Sequence, residues 1–134
     1  MNAWIALLLA LSLPLAAFAE DDEIAAAASQ VSYVSLVPPL VGNYQSAGRL
    51  KLYKADISLR VDSAEAKARV EHHEPLIRNQ LVMLFSQQTE ASLSGLEAKE
   101  SLRQEALKQV RQALEQEEQQ PLVEDLLFNN LIIQ

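Results

Sequence analysis

Polar and apolar positions alternate over residues 49–61 (RLKLYKADISLRV). Tyr53, Ala55, Ile57, Leu59 and Val61 are apolar; Lys54, Asp56, Ser58 and Arg60 are polar. A period of two predicts a strand with one face in the core and one in water. Leu50 and Leu52 fall in the opposite phase. They predict either a bulge near Lys51 to Tyr53 or a strand start covered on both faces. Upstream, Tyr33 to Val41 (YVSLVPPLV) favours a strand, which must lie at a sheet edge or stop at Pro38-Pro39, where two ladder donors are missing. Gly42-Asn43 and Ser46-Ala47-Gly48 then read as turns.

Beyond Val61 the period becomes helical. Asp62-Ser63-Ala64-Glu65 has the form of a capping box with Asp62 as the cap. The first helix then pairs Glu65 with Arg69 and Lys67 with Glu71 on its exposed face, and Pro75 ends or kinks it. Pro75 equally suits the first turn of a second helix. There Ile77, Leu81, Leu84 and Phe85 form an apolar stripe, widened by Leu76, Val82 and Met83. Ser94-Gly95 precedes a third helix, Leu96 to about Glu117. Its core face is Leu102, Ala106, Leu107, Val110, Ala113 and Leu114. Its carboxylate-rich end opposes the helix dipole and predicts fraying before Pro121. Leu122 to Gln134 (LVEDLLFNNLIIQ) reads as the best-buried strand, with Asn129-Asn130 at a bulge or an exposed step.

The order along the chain is β-β-α-α-α-β. Helices bunched between strands predict an α+β fold, a small antiparallel or mixed sheet with its helices packed on one face. The expected core is Ile57, Leu59, Ile77, Leu81, Leu84, Phe85, Leu107, Val110, Phe128 and Ile132, with the second helix against the odd-numbered face of the long strand.

Composition adds a compartment. Met1 to Ala19 (MNAWIALLLALSLPLAAFA) is apolar, broken by Ser12 and Pro14, and ends with the small residues Ala17 and Ala19 before Glu20. This is the anatomy of an export signal cleaved after Ala19, although the amino terminus alone supplies its positive charge. A short uncleaved anchor is the alternative, but a bilayer takes roughly 20 apolar residues to span. Residues 20–32, acidic and then alanine-rich, read as a tether, and 33–134 as one domain. There is no cysteine, so packing rather than disulfides must hold the fold. The formal charge of −7 argues against nucleic acid and against anionic lipid headgroups as the main partner.

Catalytic constellations are wanting. Glu71-His72-His73-Glu74 has metal-ligand residue types, yet adjacent helical residues diverge by about 100° and the two imidazoles cannot share an ion. No Gly-x-Ser-x-Gly occurs, and three scattered glycines make no phosphate loop. Acidic pairs such as Glu117-Glu118 are expected to be solvated charge in polar ends rather than a general acid and base. Tyr33, Tyr44 and Tyr53 suit the filling of a sheet face better than a binding stripe. No enzyme, cofactor, metal or small-molecule site is expected. The candidate contacts are the stretch Pro39 to Tyr44, including Asn43, and the polar face of the third helix through Arg103 and Arg111.

The ordered set of these segments resembles the periplasmic domain of the FliL family of flagellar basal-body-associated proteins. Tyr33-Val34-Ser35-Leu36 with Pro39-Leu40-Val41 and Asn43 is similar to its opening strand, and Arg49 to Leu59 to its long second strand. Glu74-Pro75-Leu76-Ile77-Arg78 through Ser86 is similar to its most recognisable helix, and Lys99 to Leu107 to its third. Val123 to Gln134, with Phe128 and the terminal Ile132-Ile133-Gln134, is similar to its closing strand. The resemblance covers about three quarters of the chain. It implies a stomatin-like domain and a non-enzymatic helper of the flagellar motor that self-associates, contacts the stator units and supports swimming, swarming and chemotaxis. The family usually carries a cytoplasmic lead and a true membrane helix, whereas here an export signal stands in that place. The alternative is an exported adaptor with no flagellar role.

Overall fold

The computed structural model describes residues 30–134. The expected signal and cleavage residues Ala17, Ala19 and Glu20, and most of the tether, lie outside them. Four strands form one antiparallel sheet: β1 (Ser32–Ser35), β2 (Leu40–Ser46), β3 (Arg49–Val61) and β4 (Val123–Ile133). β3 is the axis. β1 pairs with its C-terminal part (Ser32 opposite Val61) and β2 with its N-terminal part (Leu40 opposite Ala55, Ser46 opposite Arg49). β4 runs along the other edge, from Val123 opposite Val61 to Ile133 opposite Tyr53. β1 and β2 thus occupy one edge end to end, and the sheet is three strands wide.

The stretch Tyr33 to Val41 is therefore not one strand. Pro38-Pro39 splits it, with a cis bond between Val37 and Pro38. Gly42-Asn43, expected as a turn, lies inside β2. The hairpin turn is Ala47-Gly48, both with positive φ (50° and 75°), the twist that a two-residue connection between antiparallel strands requires. No bulge resets β3 near Lys51. Its alternation is unbroken, and Leu50 and Leu52 simply face outward, 68% and 48% exposed. The sheet's irregularities lie in the β3–β4 pairing. One is at Asn129, the extra residue between the Phe128–Ile57 and Asn130–Asp56 pairs. Its amide donates to Ser58 Oγ at 2.7 Å, and Ser58 meets Ser35 Oγ at 3.2 Å, so a polar stitch crosses β1, β3 and β4.

Four helices cover one face: α1 (Ala64–His72), α2 (Glu74–Ser86), α3 (Glu90–Leu93) and α4 (Leu96–Glu118). The cap of α1 is Ser63 rather than Asp62, its hydroxyl accepting from the amide of Ala66 at 3.1 Å. Pro75 sits in the first turn of α2. The single turn α3, capped by Thr89 and Ser92, has too few residues to show a period and is absent from the sequence reading. The end of α4 does not fray early. Glu118 accepts from His73 at 2.7 Å and lies 3.5 Å from Arg69, which pins the helix end to the α1–α2 corner.

The core lies between sheet and helices. Tyr53, Ala55, Ile57, Leu59 and Val61 of β3 are buried, as are Ile77, Leu81, Leu84 and Phe85 of α2 and Val110 of α4. Phe85 stacks on Tyr53 (centroids 4.9 Å apart) and leans on Phe128 at 5.9 Å. Four core expectations need correction. β4 is an edge strand in which Val123 and Leu126 alone are fully buried. Ile132 falls on the outward phase of its alternation and is 40% exposed, while Phe128 and Leu107 are only partly buried.

Candidate functional site

Arg78 shows how sequence spacing places a side chain. In Pro75-x-Ile77-Arg78, Pro75 starts the helix, Ile77 enters the core, and Arg78 Nη1 donates to the carbonyl of Pro38 at 2.8 Å. The prolines interrupt the ladder, and the guanidinium satisfies a carbonyl the break leaves over. The second residue of this kind is Arg103. It donates to Glu100 (2.6 Å), Asp125 (2.6 Å) and the carbonyl of Leu126 (3.0 Å). It ties α4 to β4 and is no freely presented contact. Arg103 and Gln104 hold the Glu100 carboxyl at about 2, well below the carboxylate range. The carboxylates of Glu100 and then Asp125, accepting hydrogen bonds from the guanidinium, stabilise its charge against desolvation.

The other expected contacts divide. Tyr44 is buried, because the inward phase of β2 carries Leu40 and Tyr44, and it presents nothing to a partner. Pro39 is half-buried, while Asn43 faces out on β2 rather than in a loop. Arg111, half-buried on α4, borders a shallow depression with Leu107, Lys108 and Glu115. These residues form no single site. Asn43 belongs to the sheet's outer face, Arg111 to the helical face. His72 and His73 meet edge to face, with His73 given to Glu118. Among the described residues no three His, Cys, Asp or Glu side chains converge as a metal site would require.

The sheet leaves three surfaces open among the described residues. The outer edges of β1–β2 and of β4 pair with no strand. Beside the β4 edge a groove of about 410 Å³ runs between α4 and β4, lined by Leu96, Lys99, Glu100, Arg103, Phe128 and Leu131 among others. Leu96 projects there, 87% exposed. The third surface is the uncovered sheet face, where Val41, Leu50, Leu52 and Ile132 lie exposed around a shallow hollow. The out-of-phase leucines were its sequence signal. The edge position of β4 had none, since a run of apolar residues reads alike in a central strand and in an edge strand packed on a helix. Among the described residues no helix is long and apolar enough to cross a membrane.

A family model described as flagellar basal body-associated protein FliL matches residues 33–134. No curated protein matches the chain closely enough to count as a relative.

Proposed function

Since the chain belongs to the FliL family of flagellar basal-body-associated proteins, we propose that it is a non-enzymatic, periplasmic part of the motor. In this reading it supports the stator units, and with them swimming and swarming, by contacting them and by assembling with copies of itself. The family match, which takes in nearly every described residue, is the observation that carries it. The architecture supports it: a sheet whose two edges are open among the described residues pairs readily with further chains. The groove beside β4, with Leu96 projecting into solvent, offers an apolar contact next to one of those edges. Export by the Met1–Ala19 signal would place the domain on the side of the membrane where the stator's periplasmic parts lie.

The test is a clean deletion scored for swimming and for swarming in viscous medium, with affinity capture of stator proteins by the tagged chain. Impaired motility and recovered stator protein are expected. Leu96→Glu with Lys99→Glu should weaken capture and self-association while circular dichroism stays unchanged, since both side chains are at the surface. Normal motility together with an empty capture would replace this reading by that of an exported adaptor outside the motor.

A further inference from the structure

Outside the hairpin turn, the left-handed non-glycine residues among the described ones both lie in the connection from α4 to β4. Gln119 ends α4 at φ 58° and ψ 16°, its amide donating to the carbonyl of Glu115 at 2.9 Å. Leu122 follows at φ 58°, and the amide of Val123 donates to the carbonyl of Pro121 at 2.6 Å. That is a γ-turn with positive φ at its centre, the rare and strained form. Val123 then pairs with Val61 and Asp125 with Arg60, so Glu124 is an extra residue in β4. A left-handed cap, a strained turn and a bulge thus follow one another between Gln119 and Glu124. Glycine or asparagine would take the two left-handed positions at little cost, and neither is there.

Strain of this kind persists only where the surroundings over-determine it. Here a charged contact holds the segment at each end. Before it, Glu118 accepts from His73 Nε2 at 2.7 Å and lies 3.5 Å from Arg69. After it, Asp125 accepts from Arg103 at 2.6 Å. Between these anchors Leu122 is half-buried against the core and Val123 is buried, while Gln119, Gln120 and Glu124 are exposed. A depression of about 260 Å³ opens alongside, lined by Ser63, Ala66, Arg69, Gln120, Pro121 and Leu122 among others. The strained stretch therefore has open space on its α1 side.

We propose that Gln119 to Glu124 is a latched hinge. The contact of Glu118 with the α1–α2 corner keeps it strained. When that contact breaks, the segment relaxes toward the depression and lifts the start of β4 from β3, while the rest of the domain stays folded. Asp125, tied to Arg103, is where the movement stops. Relief of strain offsets part of the cost of opening, so this stretch opens locally and more readily than the core around it. The open form uncovers Leu122 and Val123 beside α1, an apolar contact that the closed form hides. The inference does not depend on the flagellar reading.

Amide hydrogen exchange of the full chain, followed residue by residue by NMR, tests this. Val123 is the reporter, since its amide is bonded and its residue buried; Ala106 and Val110, buried in the middle of α4, report the whole fold. Val123 should exchange faster than both. Sub-denaturing urea should speed exchange at Ala106 and Val110, whose opening exposes much surface, and leave Val123 nearly unchanged. Glu118→Gln should speed exchange at Val123 roughly tenfold, the worth of one hydrogen bond to a charged group. It should also shift the amide resonances of Ser63 and Ala66, which line the depression. Gln119→Gly, which frees the left-handed position, should slow exchange at Val123 severalfold. The proposal is overturned if Val123 exchanges in step with Ala106 and Val110 at every urea concentration, which would make the connection part of the global unit. It is equally overturned if Glu118→Gln leaves Val123 as protected as before.

Discussion

Gly42 and Tyr53 face each other across β2 and β3, and the glycine is what lets the tyrosine lie flat. A Cβ at Gly42 would stand 2.5 Å from the Tyr53 hydroxyl and 2.7 Å from its Cζ. The ring cannot swing away, because Phe85 stacks on its other side. Gly42→Ala should lower stability by about 1–3 kcal/mol, the cost of overpacking a full site, as read by urea unfolding. Among the described residues the Tyr53 hydroxyl is buried without a hydrogen-bond partner, and burial pushes its pKa up. Tyr53→Phe removes an unsatisfied polar atom and keeps the stack, so unfolding should show equal or higher stability. Ala47 occupies a left-handed position in the hairpin turn, where a Cβ is strained and asparagine is favoured. Ala47→Asn should raise stability by about 0.5–1 kcal/mol.

At the scale of elements, two arginines and one apolar stripe join helices to strands. α2 is held by its stripe: Leu81→Ala should cost about 2–5 kcal/mol, as for a leucine in a packed core. A loss below about 1 kcal/mol would mean that the helix does not close the core. α4 is held to β4 partly through Arg103. Its side chain is only 20% exposed, its bond to Asp125 is short at 2.6 Å and it also donates to the Leu126 carbonyl. Arg103→Ala should cost about 1–3 kcal/mol, the range for a charge-assisted bond whose partner is left behind. Arg103→Lys should recover part of it, since an ammonium cannot reach Glu100, Asp125 and the carbonyl together.

The whole molecule depends on pH through three ion pairs: one within α4, one between the end of α4 and the α1–α2 corner, and one between β3 and α3. The carboxyls of Glu100, Glu118 and Glu90 lie below their ordinary 4.5, through hydrogen bonds from Arg103, His73 and Lys51 respectively, and Glu100 falls to about 2. A group with a depressed folded pKa contributes fully above its unfolded value and loses its contribution as pH falls through the folded one. Stability should therefore decline from about pH 4.5, with the Glu100 share gone near pH 2. Glu100 and Glu90 are solvent-exposed and Glu118 is half-buried, so the decline should be shallow. Urea midpoints at pH 7, 4.5 and 2.5 test this: Glu100→Gln with Glu118→Gln should flatten the acid limb. Deleting Leu131 to Gln134 removes two half-buried inward side chains, Leu131 and Ile133, and the last rungs of β4. A loss of about 3–4 kcal/mol is expected from that area and those bonds, with the fold retained by circular dichroism and a lowered melting temperature.

What could be read from the residues alone was what depends on near neighbours. The alternation of Tyr53 to Val61, the stripe Ile77, Leu81, Leu84 and Phe85, the helix start at Pro75 and the irregularity at Asn129-Asn130, read as a bulge or an exposed step, are local patterns, and they determined the α+β class and most of its elements, though not the single turn α3 or the split of the first strand. The ordered set also pointed to the family that the match over 33–134 shows. Tertiary structure alone decided which side of a strand is covered and by what. Leu50 and Leu52 look like core residues gone out of phase until the sheet is seen to bear helices on one face only. Tyr44 and Arg103 look available until β2 turns one inward and β4 meets the other. Ile132 looks buried in an apolar run, yet only pairing with β3 fixes its phase. Apart from the β2–β3 hairpin, pairing partners and covered faces arise between segments far apart in the chain, and no short window of sequence contains both members of such a contact.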